Sequence, residues 1–354
     1  MGENAVDRLM DALREFPREG VVIPCCDDSL ELIAHHRGEL VELGYTPIEA
    51  DDEVLLAMLD KERTFELATR AGIEAPWVQT VRTENEARTA AAQVGFPCAL
   101  KPRHSHLFGH QFLAGKAFVV ANEHELEEAL ARTLEAGVEM MVTEIVPGPD
   151  AGICSYYSYI DSEGRPLFEV TKRKLRQNPP GFGRLGCYHV TDWIPEVAEL
   201  GLRFFQGTGV RGLANVEFKR DARDGRLKLI ECNHRLTSAT EQLRRAGADL
   251  PLFTYRRALG KPVPSSMPYR IGLGHWYPLS DLRAFAVYRR NGEVSIGEWL
   301  RSLARPQTFP LASFRDPMPS LVSVLRRILR RSIKSMKRSP FSRGPRRFQR
   351  RSPG

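Results

Sequence analysis

Oxygen-bearing side chains gather on a predicted hairpin late in the chain. The segment LKLIECN (residues 227–233) is typical of a β-strand, and its alternation places Glu231 and Asn233 on one face. The preceding predicted strand, 213–220, carries Glu217 and is joined to it by the turn DARDG. Carboxylate and amide oxygens are ligands that Mg²⁺ takes beside nucleotide phosphates and water, so these side chains predict a magnesium (or Mn²⁺) site. Arg235 follows within reach of a phosphate of the same nucleotide, although an ordinary solvated hairpin face would carry similar charges.

Two lysines far apart in the chain are candidate phosphate contacts. Lys61 begins a predicted helix that Asp60 caps and that runs to Arg70. A cation at that end opposes the helix dipole and gains nothing locally. Lys101 ends the predicted strand FPCALKP (residues 96–102). Together the two predict positive charge for a triphosphate, whereas each alone would also fit a plain surface lysine.

The segment TEIVPGPD (residues 143–150) ends a predicted strand and enters a Pro-Gly turn. The edge of a strand offers backbone NH and CO groups to an adenine ring, and Glu144 can accept a hydrogen bond from the adenine amino group. Asp150 is then a candidate for the ribose hydroxyls. A strand followed by a simple turn remains the alternative interpretation.

The order of these motifs resembles the ATP-grasp superfamily. Lys61, Lys101, EIVPGPD and the closing pattern E-x13-E-x-N-x-R follow one another with the expected gaps over about residues 20–260. Within the superfamily, the chain is most similar to carboxylate–amine ligases and predicted carboligases related to D-aspartate ligase and carbamoyl-phosphate synthase.

The resemblance implies an α/β fold, with α+β lobes that grip ATP, and a role for each motif. It implies phosphate contacts for Lys61 and Lys101, adenine contacts for Glu144 with the backbone of Ile145 and Val146, and a ribose contact for Asp150. It implies Mg²⁺ ligands at Glu217, Glu231 and Asn233, and stabilisation of the γ-phosphate or acyl phosphate by Arg235. Such enzymes align charged groups and exclude water from the acyl phosphate.

A basic stretch, TKRKLRQNPPGFG (residues 171–183), resembles a segment that in relatives lies over the phosphates or the acceptor. Lys174 and Arg176 are the preferred catalytic candidates, because a spacing of two on an extended strand points both to one side. A solvated basic face is the alternative.

Residues 103–115 occupy the place of the phosphate-covering loop and contain His104, His106 and His110. We expect these histidines to contact phosphate or substrate or to be exposed, because no fourth zinc ligand is evident.

Strands first interleave with helices and later pair as hairpins, which predicts a mixed α/β protein of several lobes. We assign residues 1–58 to a partial Rossmann-like lobe, either reduced or truncated, since GVVIP and a helix from Asp28 follow without a GxGxxG motif. Residues 59–260 form the predicted ATP-grasp domain, with a lid at about 96–147. Residues 261–317, rich in Pro, aromatics and Arg, predict an irregular extension, and residues 318–354 a basic tail.

The formal net charge of +7 belongs to that tail, because residues 320–354 hold twelve Lys and Arg and no acidic residue. Residues 320–337 predict a basic amphipathic helix that lies on an anionic membrane surface or docks on the protein's own body. No specific nucleic-acid partner is predicted. Six cysteines without a CxxC pair, and no apolar run of about 20 residues, predict a cytoplasmic protein. The basic tail predicts peripheral attachment at the inner membrane surface.

These features predict an ATP-dependent ligase that joins a small carboxylate to an amine, with a homodimer as one assembly. The alternatives are an ATP-grasp carboxylase that uses another nucleophile, and a regulatory ATP-binding protein that has lost turnover.

Overall fold

The structure, a computed structural model, describes residues 3–16, 19–104, 117–135, 137–181 and 185–310, together with the single residues 317, 318 and 322. Three sheets organise the part of the chain up to residue 308. The mixed α/β class predicted from the sequence is confirmed.

The first sheet has two parallel strands, and the predicted βα unit is present. Apolar side chains from three helices and both strands form its core, among them Met10, Ile33 and Leu55. The elements are α1 (Glu3–Glu15), β1 (Gly20–Val22), α2 (Asp27–Glu42), β2 (Tyr45–Pro47) and α3 (Asp52–Leu59).

The helix predicted after Asp60 is α4 (Lys61–Arg70), and the Asp60 carboxylate caps it by accepting from the backbone NH groups of Glu62 and Arg63. A four-stranded antiparallel sheet follows, in the order β3-β6-β4-β5, with two helices over one face. Its elements are β3 (Val78–Val81), α5 (Glu84–Val94), β4 (Cys98–Pro102), β5 (Phe118–Val120), α6 (Glu123–Leu134) and β6 (Met140–Thr143). The predicted lid at about 96–147 covers only part of this unit, which begins at Val78.

The third sheet has seven strands in the order β11-β10-β7-β8-β9-β12-β13. One face packs on α4 and α7 through Phe65, Phe204 and Phe205, and the other on α8 and α9 through Leu243 and Phe253. Its elements are β7 (Ile153–Ile160), β8 (Pro166–Asn178), β9 (Leu185–Asp192), α7 (Pro195–Thr208), β10 (Gly212–Arg220), β11 (Leu227–Asn233), α8 (Thr240–Ala246) and α9 (Leu250–Ala258).

The prediction of an irregular extension after residue 260 is wrong. This stretch adds β12 (Gly274–Trp276), α10 (Pro278–Arg290), α11 (Ile296–Leu303) and β13 (Gln307–Thr308). β12 pairs with β9, so the extension completes the large sheet, while α10 packs against β8 and β9. The sequence concealed these elements because their buried side chains are largely polar and aromatic, such as His275, Asp281 and Tyr288.

Two predictions fall outside the described residues. These are the basic amphipathic helix at 320–337, apart from residue 322, and the part of the histidine-containing loop that carries His106 and His110. Within the described ranges, no helix combines the length and the apolar character needed to cross a bilayer.

Candidate functional site

A cleft of about 310 Å³ opens between the four-stranded sheet, the seven-stranded sheet and α4. Eight of the twelve site residues predicted from the sequence lie on its wall: Lys61, Lys101, Glu144, Ile145, Val146, Lys174, Glu217 and Glu231. They come from six separate segments of the chain, so the fold brings together residues that are far apart in the sequence.

The carboxylates of Glu217 and Glu231 come from directly opposite positions of β10 and β11. Like charges at such positions repel each other unless a cation compensates. Lys174 provides part of that compensation, with its Nζ 3.4 Å from Glu217 Oε2, and the hydroxyl of Ser155 donates to Glu217 Oε1 over 3.4 Å. The pair therefore places two carboxylates where a bound cation would relieve their repulsion.

Asn233 lies two residues beyond Glu231, beside a smaller cavity of about 20 Å³ that Glu231 and Lys61 also line. Its amide nitrogen donates to Asn215 Oδ1 at 3.4 Å, so its amide oxygen is the atom left to act as a ligand. Two carboxylates and an amide oxygen fit Mg²⁺, which completes its shell with phosphate and water. In the part of the chain that the structure describes, no cluster of three His, Cys, Asp or Glu is placed to hold a metal ion.

Among the described residues, four lysines line the cleft: Lys61, Lys101, Lys174 and Lys219. Lys219 was missed in the sequence, although it stands two residues after Glu217 and so shares its face of β10. Burial lowers the pKa of Lys219, against the attraction of Asp150 and Asp221. The cleft thus combines a cationic wall with the anionic pair.

The candidate adenine edge is the chain after β6. Ile145 and Val146 line the cleft, and no hydrogen bond joins their backbone groups to another described residue. Gly148 follows with φ 122°, and a Cβ there would lie 3.0 Å from the carbonyl oxygen of Arg220. Only glycine therefore lets this segment approach β10 so closely.

Glu144 is held as a carboxylate on this edge. Its oxygens accept from the backbone NH of Trp77 at 3.2 Å, from Lys228 at 3.3 Å and from Arg223. Burial raises the pKa of Glu144, but the hydrogen bond from Arg223 and the charge of Lys228 outweigh burial, so the net pKa is lowered. The group can accept a hydrogen bond only in competition with these partners.

The structure does not bring Asp150 to the cleft wall. Its carboxylate is 5% exposed and accepts from Gln177 Nε2 at 2.7 Å, from the backbone NH of Gly181 at 2.9 Å, and from the hydroxyl of Tyr288. The predicted ribose contact has no support from this position, because protein donors already occupy both oxygens.

The expectation that Lys174 and Arg176 point to one side is wrong. Lys174 pairs with His189 and Arg176 with Tyr188, so Leu175 is an extra residue in β8. Such a bulge reverses the alternation of side chains. Arg176 consequently leaves the cleft and forms a buried, two-pronged ion pair with Asp281, at 2.6 and 3.0 Å.

Arg235 lies beside the smaller cavity rather than on the wall of the cleft. Its Nε donates to Asp27 Oδ1 at 2.6 Å, which ties the end of β11 to the start of α2. Burial lowers the pKa of Arg235, but the charges of Asp27 and Glu231 outweigh burial. The net pKa is raised, so the guanidinium is charged. Its predicted contact with a phosphate stays a prediction.

A second group of bases lies buried next to the anionic pair. It joins Lys172, from the basic stretch singled out in the sequence, to His189, which was missed. Lys172 Nζ is 3.2 Å from His189 Nδ1 and lies over the ring of Tyr157. Burial lowers the pKa of Lys172, with Glu217 opposing the shift, and burial together with Lys172 holds the pKa of His189 well below its ordinary value. Alternation from Lys174 was the signal in the sequence, but nothing there indicated the partner His189.

No family model matches the chain. The D-aspartate ligase of Enterococcus faecium is 28% identical over 268 residues, which cover 73% of this chain and 62% of that protein. The carbamoyl phosphate synthase large chain, C-terminal section, of Methanopyrus kandleri is 23% identical over 235 residues, which cover 64% and 42%.

Among solved structures, the biotin carboxylase domain of the Hydrogenobacter thermophilus 2-oxoglutarate carboxylase, a dimer in complex with MgADP, ADP and bicarbonate, superposes with a TM-score of 0.60. It is 21% identical, and the match covers 76% of this chain and 60% of that one. The chain has the ATP-grasp fold and is similar in sequence to ATP-grasp ligases. The resemblance predicted from the motifs is therefore confirmed.

The ATP-grasp chain spans less than two thirds of each of these three proteins. The described part of its candidate site lies between the two larger sheets.

Proposed function

We propose that this ATP-grasp protein is an ATP-dependent ligase that activates a small carboxylate as an acyl phosphate for attack by an amine. The observation that carries the proposal is the pairing, within one cleft, of the opposed Glu217 and Glu231 with the lysines of the facing wall. An anionic pair facing several cations is the arrangement that a magnesium-bound triphosphate requires. The similarity to a D-aspartate ligase supports the choice of ligation.

The nucleotide is proposed to bind along the length of the cleft. The backbone of Ile145 and Val146 would take the adenine edge, with Glu144 accepting from its amino group. Lys61 and Lys101 would contact the phosphates, and Glu217, Glu231 and Asn233 would hold Mg²⁺. Bound there, the ion would neutralise phosphate charge and so ease nucleophilic attack on phosphorus.

In the first step, a carboxylate oxygen of the acid attacks the γ-phosphorus, an acyl phosphate forms and ADP leaves. In the second, the amine nitrogen attacks the acyl carbon, the C–N bond forms, phosphate leaves and the nitrogen loses a proton. Lys174, 3.4 Å from Glu217, is placed to stabilise the phosphoryl oxygens in both steps. Arg235, held charged by Asp27, is proposed to stabilise the acyl phosphate.

A screen of carboxylate and amine pairs for magnesium-dependent ADP release tests the proposal. We expect release with one pair only when both partners are present, and loss of release in Glu231→Gln. Glu163→Gln is the matched control, because Glu163 is an exposed carboxylate in the turn between β7 and β8. ADP release that needs bicarbonate instead of an amine would indicate a carboxylase, and ATP binding without release would indicate a regulatory protein.

The basic tail is proposed to attach this enzyme to an anionic membrane surface from the cytoplasmic side. Twelve Lys and Arg without an acidic residue in 320–354 support that proposal, since each such charge near an anionic surface contributes about 1 kcal/mol. The full chain should sediment with phosphatidylglycerol vesicles at low salt and not with phosphatidylcholine vesicles. A homodimer is a further proposal, which the mass in solution tests.

A further inference from the structure

A buried carboxylate connects the C-terminal extension to the wall of the nucleotide cleft. Asp150 accepts from the side chain of Gln177 and from the backbone NH of Gly181, and both of these residues line the cleft. The third donor to Asp150 is the hydroxyl of Tyr288, which belongs to α10.

The hydroxyl of Tyr288 holds the end of β8 in two ways. It donates to Asp150, and it accepts from the backbone NH of Gln177 at 3.1 Å. Tyr288 is 2% exposed, and burial, followed by the hydrogen bond to Asp150, raises its pKa, so the group stays a neutral donor. One side chain of the extension therefore fixes both the backbone and, through Asp150, the side chain of a cleft residue.

A second anchor lies one residue before Gln177. The carboxylate of Asp281 accepts hydrogen bonds from the guanidinium of Arg176 and from the indole nitrogens of Trp276, at 3.0 Å, and Trp299, at 2.9 Å. It secures the same helix to the same strand, but it makes no contact with Asp150. The two anchors can therefore be perturbed separately.

We infer that Tyr288 is a positioning residue for the nucleotide, acting through Asp150 to fix Gln177 and Gly181 in the wall of the cleft. The inference rests on the proposed function, because it requires that the cleft bind ATP. If the cleft wall is already ordered before the nucleotide binds, binding does not lose the conformational entropy of ordering it. A hydrogen bond to a buried carboxylate is among the stronger contacts that can hold the wall in place.

The test compares two substitutions in the extension by titration calorimetry with MgATP. Tyr288→Phe removes only the hydroxyl, and we expect the Kd to rise about tenfold, the range of one hydrogen bond to a charged group. Trp299→Phe removes a donor to Asp281 and leaves Asp150 untouched. Trp299→Phe should lower the melting temperature about as much as Tyr288→Phe does, but it should leave the Kd for MgATP unchanged.

A double variant and hydrogen exchange complete the test. Since Tyr288 acts through Asp150, Tyr288→Phe added to Asp150→Asn should raise the Kd no further than Asp150→Asn alone. The amide proton of Gly181 should exchange faster in Tyr288→Phe and not in Trp299→Phe. Wild-type affinity in Tyr288→Phe, or equal weakening in Trp299→Phe, overturns the positioning role alone. Failure of the wild-type protein to bind MgATP overturns the proposed function and this inference together.

Discussion

Replacing Glu231 with glutamine separates the metal site from the stability of the fold. The change removes one charge from the opposed pair at nearly constant shape, so repulsion from Glu217 is relieved by about 0.2–1 kcal/mol. The attraction between Glu231 and Arg235 is lost at the same time, by an amount of similar order. We therefore expect the unfolding free energy without ligand to stay within about 1 kcal/mol of the wild-type value.

The two proteins should differ once MgATP is present. At a ligand concentration of about 100 times Kd, binding stabilises the wild-type fold by about 2.7 kcal/mol. If loss of one carboxylate ligand weakens binding about a hundredfold, the gain for Glu231→Gln at that concentration falls to about 0.4 kcal/mol. Glu231→Gln should therefore change the unfolding free energy of the ligand-free protein little, whereas most of the stabilisation by MgATP should be lost.

Urea unfolding with and without MgATP measures both quantities, and ADP release measures turnover. Asn233→Ala should behave like Glu231→Gln, and Glu163→Gln should match the wild-type protein throughout. The metal assignment is refuted if Glu231→Gln keeps the full MgATP stabilisation and normal ADP release.

Three further changes test other parts of the structure. Lys101→Ala removes a cation from the cleft wall and should raise the MgATP Kd about tenfold in calorimetry; an unchanged Kd contradicts its phosphate role. Asp281→Asn leaves the buried Arg176 without its anion and should lower the unfolding free energy in urea by about 3–5 kcal/mol, so a loss below about 1 kcal/mol would show that the pair is unimportant. Burial lowers the pKa of His275 to about 4, so the unfolded state takes up its proton first as the pH falls below about 6.5. We expect a loss of about 2 kcal/mol from this group between pH 7.5 and pH 5, which His275→Asn should abolish, and equal acid sensitivity in both proteins would refute the assignment.

The parts of the site that rest on strand alternation were predictable from the sequence. Glu217 and Glu231 sit on predicted strands joined by a short turn, so their approach was predictable. The register shift next to Glu217, which sets the two directly opposite each other, was not. The turn after β6 was also visible in Pro147 and Gly148, although β6 ends at Thr143, before Ile145 and Val146.

The failures have a different physical origin. The bulge at Leu175 reverses the faces of β8, and no local pattern in TKRKLRQNPP reveals an inserted residue. The fates of Arg176 and Asp150 depend on Asp281 and Tyr288, more than a hundred positions later. A contact over such a separation is set by the tertiary fold, and spacing rules have no access to it.

The strand that the extension adds also bears on how the protein can be divided. β12 covers the outer backbone of β9, and β13, only two residues long, then becomes the rim of the sheet. A chain cut at residue 260, where the predicted ATP-grasp domain ends, would leave the hydrogen-bonding groups of β9 along Tyr188, His189 and Val190 without their partner strand. Unpaired edge strands of this kind pair between molecules and aggregate, so we expect that the candidate site and the extension must stay on one polypeptide.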